Sequence, residues 1–206
     1  DKGFLKEALI NFVALLGWNA GDDKEFYNMD ELVSNFALER VNKAGAVFDL
    51  QKLNWLNAEH LRKKSNKELL SLLKENIQKS KFKDQNYSDN FLSLVIESMK
   101  ERVSFIREFI DTCTYFYEAP TEYGQISVEK NWKPETSEHL NKLKEEFALL
   151  NNPTKEDFEH ALAKVSEEIN VGKGKLIHPL RLAVSGQSTG PGMFDLLFIL
   201  GKDEVV

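Results

Sequence analysis

SDNFLSLVIESMKERVSFIREFIDTCTYFY, residues 88–117, is the stretch that decides the fold class of this chain. Its apolar residues recur at intervals of three and four, the spacing that places side chains on one face of an α-helix. Neither proline nor glycine interrupts the pattern. It therefore predicts one long helix over 88–117, ended by Pro120 and Gly124.

Shorter helical patterns precede this segment and carry start and stop signals of their own. Asp49 is predicted to cap one helix after a break at Gly45, and Ser65 opens the next through the capping-box pattern Ser-x-x-Glu. The remaining N-terminal patterns cover 5–16, with Gly17 as the stop, and a short helix through Phe36, capped by Asn28 or Asp30.

The C-terminal part predicts an antiparallel helix pair followed by two shorter helices. The pair covers 137–150 and 154–170, with Thr154 as a cap and Gly172 and Gly174 as the stop. The next helix is predicted to begin at His178-Pro179, since proline is tolerated in a first turn, and to end at Gly186. The last covers 193–200 and ends at Gly201.

The apolar positions also predict which side chains form the core. Cys113 is interpreted as a small buried apolar residue rather than a nucleophile. The aromatic run 115–117 could stack on unpaired bases, but its register with Phe109 and Ile106 favours the core. In the helix after Asp49, the inward-facing residues are predicted to be Leu50, Leu53, Trp55 and Leu56.

Strand signals are weak throughout, so the fold class is predicted to be all-α, an elongated array of helical subdomains. A boundary is placed near Lys64, and three regions follow: 1–64, 65–128 and 129–206. No internal repeat or low-complexity tract is present.

Composition limits the classes of function. The chain has 206 residues, 42% hydrophobic and 29% charged, which is typical of a soluble globular protein. Its formal net charge of −6 argues mildly against nucleic-acid binding, although local charge matters more than the sum. Its single cysteine excludes an internal disulfide framework. The longest uncharged stretch, 8–21, is too short to span a bilayer, and Glu7 disfavours a signal peptide.

Residue patterns that carry catalysis or bind metals are missing from the sequence. None of the four histidines stands at a metal-binding interval from another ligand, and no G-x-S-x-G elbow occurs. The loop 186–192 resembles a phosphate loop, but it lacks the Lys-Ser/Thr ending, and Pro191 removes one amide donor. We therefore expect no catalytic residue and no metal site in this chain.

Basic residues are concentrated in two places. The interval between Glu168 and Asp195 contains no acid, yet it holds Lys173, Lys175 and Arg181. It could contact an RNA backbone near the helix start at Pro179, or it could be an ordinary basic loop. The second group comprises Arg62, Lys63 and Lys64, a cluster of a kind that is common on protein surfaces. In the long segment, Lys100, Arg102 and Arg107 alternate with acidic residues, so surface pairing at i,i+4 is their default interpretation.

Three blocks of the sequence resemble one family. They are EALINFVALLGWN (7–19), LERVNKAGAVFDLQKLNWLN (38–57) and GKLIHPLRLAVSGQSTGPGMFDLLFILGKDEVV (174–206), and they occur in family order and at family spacing. The chain is similar to the C-terminal part of bacterial glutamyl-tRNA synthetases, class I aminoacyl-tRNA synthetases. The family's nucleotide-binding fold, with its H-I-G-H-type and K-M-S-K-S-type motifs, lies upstream of these blocks.

The resemblance implies a parent reaction in which glutamate, ATP and tRNA give glutamyl-tRNA, AMP and pyrophosphate. ATP and Mg²⁺ would belong to the missing catalytic domain, so no cofactor is expected in this fragment. Residues 1–64 would form the stem-contact helices. Residues 65–128 and 129–206 would form an anticodon-binding helical bundle.

The resemblance also implies roles for single residues. Arg102 falls where discriminating members place an arginine against the third anticodon base, compatible with cytosine and unfavourable to guanine. Arg181 matches an arginine that reads the first two bases, and Pro191 and Met193 match positions that line the same pocket. Gly190 stands where relatives carry a hydroxyl residue. Backbone contacts are expected from Arg62, Lys63, Lys64, Lys100, Lys173 and Lys175.

The sequence thus predicts recognition of the anticodon arm of tRNA-Glu. The expected partners are that tRNA and the catalytic half of the same polypeptide, with no DNA and no membrane, in a cytoplasmic monomer. The main alternative is a helical protein–protein adaptor.

Overall fold

The computed structural model describes residues 2–42 and 47–206, and these residues form helices connected by loops. The only pairing of the β type among them is an isolated antiparallel bridge between Trp18 and Val41, so the all-α prediction is confirmed. Gly45, the predicted break, lies outside the described residues. Within the described ranges, no helix has both the length and the apolar character needed to cross a membrane.

The chain divides into two compact units, and each unit is made of two separate stretches of the sequence. Unit 1 comprises residues 1–86 and 100–109, and unit 2 comprises residues 87–99 and 110–206. The division of function into the regions 1–64, 65–128 and 129–206 stays a prediction.

The described part of unit 1 contains four complete α-helices: α1 (Lys6–Gly17), α2 (Met29–Asn35), α3 (Leu50–Lys63) and α4 (Asn66–Ile77). The predicted caps are present. The Asp49 side chain accepts hydrogen bonds from the first amides of α3, and Ser65 and Glu68 form the capping box of α4. At α2, Asn28 rather than Asp30 is the cap, in a capping box with Glu31.

Helix α3 packs against α1 through Leu53 and Leu56, which contact Phe12. The predictions for Leu50 and Trp55 are wrong, because these side chains are 47% and 43% exposed. Trp55 lies about 200° around the helix from Leu53, since each residue turns the helix by about 100°. Leu50 is the first residue of α3, ahead of the turn that packs on α1.

Asn57 is a fully buried polar residue that connects three parts of unit 1. Its side-chain oxygen accepts a hydrogen bond of 2.8 Å from the backbone amide of Leu5, just before α1. Its amide nitrogen donates to the backbone carbonyl of Ser104. One side chain on α3 thereby pairs two backbone groups that would otherwise be costly to bury.

A second buried polar group joins α1, α3 and the loop before α2. The Asn11 side-chain oxygen accepts from the amide of Tyr27 at 2.9 Å and lies 3.2 Å from His60 Nε2. Its amide nitrogen donates to the carbonyl of Glu25 at 3.0 Å. Burial lowers the pKa of His60 below its ordinary value of 6.5. The negative charge of Glu7 acts in the opposite direction and would raise this pKa, but burial has the larger effect.

The long helix predicted over 88–117 is wrong. Helix α5 covers Asp89–Met99, α6 covers Glu108–Asp111, and residues 100–107 between them are not helical. The Glu108 carboxylate accepts from the backbone amides of Ser104 and Phe105, at 2.6 and 3.3 Å. Phe105 packs on Phe4 with 5.0 Å between ring centroids. The local hydrogen bonds of Glu108 and the tertiary contact of Phe105 with Phe4 replace the hydrogen bonds of a continuous helix, so apolar periodicity alone gave the wrong prediction.

Unit 2 contains the other α-helices of the described chain except α6, which has residues in both units. Besides α5, they are α7 (Gln125–Asn131), α8 (Thr136–Ala148), α9 (Lys155–Glu168), α10 (Gly174–Ser185), α11 (Met193–Leu200) and α12 (Lys202–Val205). The predicted pairing of α8 with α9 is confirmed by ring packing between Phe147 and Phe158, whose centroids lie 5.1 Å apart. Cys113 and the aromatic run 115–117 are buried, as predicted.

One predicted helix end in unit 2 agrees to within two residues and one predicted helix start is wrong. Helix α9 ends at Glu168, close to the expected Asn170, whose φ of 54° turns the chain. Helix α10 begins at Gly174, so Pro179 lies inside it rather than at its start. Because Leu176 is fully buried, core packing holds the turn that precedes the proline in the helix.

Gly186 ends α10, as predicted, and the structure shows why glycine stands there. Its φ is 70°, a left-handed conformation that side chains disfavour. A Cβ at this position would lie 2.7 Å from the carbonyl oxygen of Glu122, closer than such atoms approach.

Replacing Asn57 with alanine is expected to destabilise the chain by about 2–4 kcal/mol, because the Leu5 amide and the Ser104 carbonyl lose their partner. Urea denaturation monitored by circular dichroism measures this. The control is Asn54→Ala, one turn earlier on α3, at a half-buried residue. Equal losses from the two substitutions would contradict the role given to Asn57.

His60 is expected to make stability depend on pH. Since its folded pKa lies below the ordinary 6.5, the unfolded chain binds its proton more readily. The contribution of neutral His60 to the free energy of unfolding is fully present above about pH 6.5. It declines as the pH falls through the lower pKa of the folded state. Urea denaturation of the wild type and of His60→Gln between pH 7.5 and pH 5 measures this. The free energy of unfolding should fall more steeply with decreasing pH in the wild type. Parallel profiles would refute this.

Candidate nucleic-acid interface

Arg102, the residue expected to read the third base, lies in unit 1 in the loop after α5. Its side chain is exposed, whereas the next residue, Val103, is buried and anchors the loop. Among the described residues, Arg102 makes no hydrogen bond or ion pair. Its guanidinium group is therefore available to a ligand.

Arg62 and two of the expected backbone-contacting lysines have partners within unit 1. Arg62 bonds to Glu59 and lies 3.5 Å from Glu101. Lys64 Nζ lies 3.0 Å from Glu7 Oε1, and Lys100 Nζ donates to the carbonyl of Lys64 at 2.6 Å. These three side chains would have to exchange such partners to contact a phosphate.

The carboxylate of Glu7 stays charged beside Lys64. Partial burial alone would raise the pKa of Glu7, but hydrogen bonds from its own backbone amide and from Lys64 outweigh this and lower it. The pocket beside this pair has a volume of about 610 Å³, and Glu31, Glu68 and Lys63 also line it. Three carboxylates against two lysines make it a poor phosphate site, and Lys63 is the lysine of this cluster that is exposed to solvent.

Arg181, the second expected base reader, lies in unit 2 on α10 and is half-buried. A Cβ added to Gly190 would lie 3.2 Å from Arg181 Nη1 and 3.3 Å from the hydroxyl oxygen of Tyr115. Gly190 has φ of 151°, which side chains rarely adopt. The glycine thus leaves room for the guanidinium group beside Tyr115, on a loop that ends at α11.

Pro191 and Met193 follow this glycine and are both buried, Met193 with 6% exposure. Their side chains pack beneath the surface of unit 2. They can hold the loop 186–192 in place, but as the structure stands they offer little surface to a base.

Lys173 and Lys175 are exposed at the start of α10. Lys175 lines a cleft of about 390 Å³, which we call the α7–α10 cleft. Its other ionisable or basic residues are Lys130, Lys133, Glu135, His139 and His178. No local sequence pattern connects Lys175 with Lys130, Lys133 and His139, because these residues lie more than 30 residues before α10 in the chain.

Comparison with known proteins places these residues in a family. Residues 68–206 match the model of the anticodon binding domain, and residues 1–55 match the model of the catalytic domain of class I tRNA synthetases (E and Q). The chain belongs to the anticodon-binding domain family. Its relatives over the full chain are glutamate–tRNA ligases, so the resemblance to that family is confirmed.

Two of these relatives are the glutamate–tRNA ligases of Chlorobium chlorochromatii and Chloroherpeton thalassium, 42% and 41% identical over 100% and 98% of this chain. The crystal structure of a glutamate–tRNA ligase from Elizabethkingia meningosepticum, in complex with its amino acid, superposes with a TM-score of 0.91 at 34% identity. That match covers 99% of this chain and 40% of the other. The chain spans 43% and 42% of the two ligases, less than half their length.

Both arginines expected to read bases fall inside the part that matches the anticodon-binding domain. Arg102 is exposed in unit 1, and Arg181 is held beside Gly190 in unit 2. The conformation of Gly190 and its close neighbours give a physical reason for glycine at this position.

Gly190→Ala is expected to destabilise the chain by about 1–3 kcal/mol, because the backbone is strained for any side chain and the new methyl group crowds Arg181. Urea denaturation measures the change. Gly172→Ala is the matched control, since a Cβ there would meet nothing within 4 Å. If both variants were as stable as the wild type, the tight approach at Gly190 would be wrong.

Proposed function

We propose that this chain recognises the anticodon arm of tRNA-Glu as the C-terminal part of a glutamate–tRNA ligase. The observation that carries the proposal is the match of residues 68–206, two thirds of the chain, to the anticodon-binding domain. The names of the full-length relatives support the choice of tRNA-Glu. None of them supports the adaptor alternative.

Arg102 is proposed to read the third anticodon base. Anticodon bases are single-stranded and splayed, so their edges are open to side chains. A guanidinium group donates hydrogen bonds only, and it suits the acceptor edge of cytosine when exposed at the end of a loop. Its exposure and lack of internal partners within the described chain support this role.

Arg181 is proposed to read the first two bases from the neighbourhood of Tyr115 and Gly190. The close approach of these residues limits the positions that its guanidinium group can take. Because Pro191 and Met193 are buried, they are proposed to support the reading loop from beneath rather than to form its surface.

Lysines and Arg62 are proposed to contact phosphates, which orient the RNA without reading sequence. Lys63, Lys173 and Lys175 are exposed and suited to this role. Arg62, Lys64 and Lys100 stay candidates that must first release internal partners. A net charge of −6 does not oppose binding if such groups act locally, within the screening distance of about 8–10 Å.

The whole protein is proposed to catalyse ATP-dependent glutamylation of tRNA-Glu in the cytoplasm, as a monomer. In this proposal residues 1–64 contact the tRNA stem, and 65–128 and 129–206 bind the anticodon. ATP and Mg²⁺ would act in the catalytic part that the longer relatives possess, and we assign neither to residues of this chain.

Fluorescence-anisotropy titration of a labelled tRNA-Glu anticodon stem-loop with this chain tests the proposal, at two salt concentrations. Saturable binding that weakens with salt, and that prefers this loop to one with guanine as the third anticodon base, is the expected result. Failure to bind either the loop or whole tRNA-Glu, even after the catalytic half is restored, would contradict it.

Arg102→Gln is expected to reduce the discrimination between the two loops by about 1–3 kcal/mol, the scale of one base contact. Binding of the glutamate loop should change less, because glutamine still offers a donor. Arg107→Gln is the matched control, since Arg107 is exposed in the same segment but lies over the ring of Phe105. An unchanged ratio of affinities for Arg102→Gln would rule out its proposed role.

A further inference from the structure

The α7–α10 cleft is a basic site in an acidic chain. Lys130, Lys133 and Lys175 contribute three positive charges against the one carboxylate of Glu135, while the whole chain carries −6. His139 and His178 add imidazole groups to the same walls. The sign of the charge in the cleft is thus opposite to that of the chain as a whole.

Two lysines elsewhere in unit 2, Lys155 and Lys164, are paired with carboxylates, but those of the cleft are not. Lys155 is bonded to Asp195, and Lys164 Nζ lies 2.7 Å from Glu146 Oε1. In the described chain, Lys130 and Lys175 make no hydrogen bond or ion pair through their side chains. Lys133 Nζ donates to the carbonyl of Glu129 at 2.7 Å, which leaves its charge without a neutralising partner. Positive charge therefore remains in the cleft for an anion from outside.

The volume of the cleft is large enough for a nucleotide of an RNA strand. Its volume of about 390 Å³ lies within the range of about 300–1,000 Å³ that is usual for ligand sites. Gly174, the first residue of α10, lines it, and the positive end of the helix dipole adds to the attraction of an anion. The imidazole of His178 can stack on a base or donate a hydrogen bond to a phosphate oxygen.

We propose that the α7–α10 cleft binds a backbone phosphate of the same RNA whose bases Arg181 reads, an inference that rests on the proposed function. Lys175, His178 and Arg181 lie on successive turns of α10; the first and the last are separated by about 9 Å along the helix axis and by about 120° around it. An RNA strand that crosses α10 obliquely can place a base at Arg181 and its backbone at the lysines. The cleft thereby adds affinity and orientation, and it leaves the identity of the bases to other residues.

The test is the salt dependence of binding to labelled whole tRNA-Glu, measured with the complete 206-residue chain. The variants are Lys130→Gln, Lys175→Gln and their combination, and the control is Lys144→Gln on α8. Lys144 does not line the cleft and lies about 12 Å along α8 from Thr136, which does. Circular dichroism of each variant verifies that it is folded.

Each cleft lysine that contacts a phosphate should contribute about 0.7–0.9 to the slope of log affinity against log salt concentration. The double variant is therefore expected to lose about 1.5 from the slope, and each single variant to bind about fivefold more weakly at 0.1 M salt. Discrimination between cytosine and guanine as the third anticodon base should stay at the wild-type value. Lys130→Arg with Lys175→Arg should restore the slope.

Two results would overturn the proposal while the wild type still binds tRNA-Glu. One is a wild-type slope and affinity in the double variant, and the other is an equal loss from Lys144→Gln, which would indicate a general effect of charge. If the wild type itself bound no tRNA, with or without the catalytic half, the proposed function would fail first and the cleft proposal with it.

Discussion

The hydrogen bonds of Asn57 are the constraint on which unit 1 depends. This buried amide pairs the backbone at Leu5 and at Ser104, two segments that are distant in the chain. Together with Glu108, it holds residues 100–107 outside any helix. Arg102 lies in this segment and is exposed because the segment is a loop. The position of this proposed base reader therefore depends on the hydrogen bonds that Asn57 makes with the backbone of Leu5 and Ser104.

In unit 2, Gly190 and buried side chains determine the surroundings of Arg181. Gly190 adopts a backbone conformation that other residues rarely adopt, and it lies close to Arg181 and Tyr115. The burial of Met193 fixes where this loop joins α11. Close neighbours on several sides thus limit the positions of Arg181, and its proposed role in reading bases requires such a defined position. The same helix carries Lys175 and His178 into a cleft with residues of α7 and α8.

The basic residues illustrate how pairing decides what a charge can do. Lys64 and Lys175 look alike in the sequence, since both stand among other basic residues. In the structure, Lys64 faces Glu7, whereas Lys175 faces other cations across the α7–α10 cleft. A negative total charge is therefore compatible with a local site for phosphate, because Glu135 is the one carboxylate that lines the cleft.

The sequence by itself determined the helical class, most helix starts and the family. Caps such as Asn28, Asp49, Ser65 and Thr154 act over three or four residues, so local pattern is enough to find them. Only the tertiary structure decided that 88–117 is not one helix, that α10 begins before Pro179, and that Lys130 and Lys133 share a cleft with Lys175. Each of these involves contacts between residues far apart in the chain, and the break in 88–117 also involves the local hydrogen bonds of Glu108. The energy of distant contacts outweighs local propensity and leaves no periodic trace in the sequence.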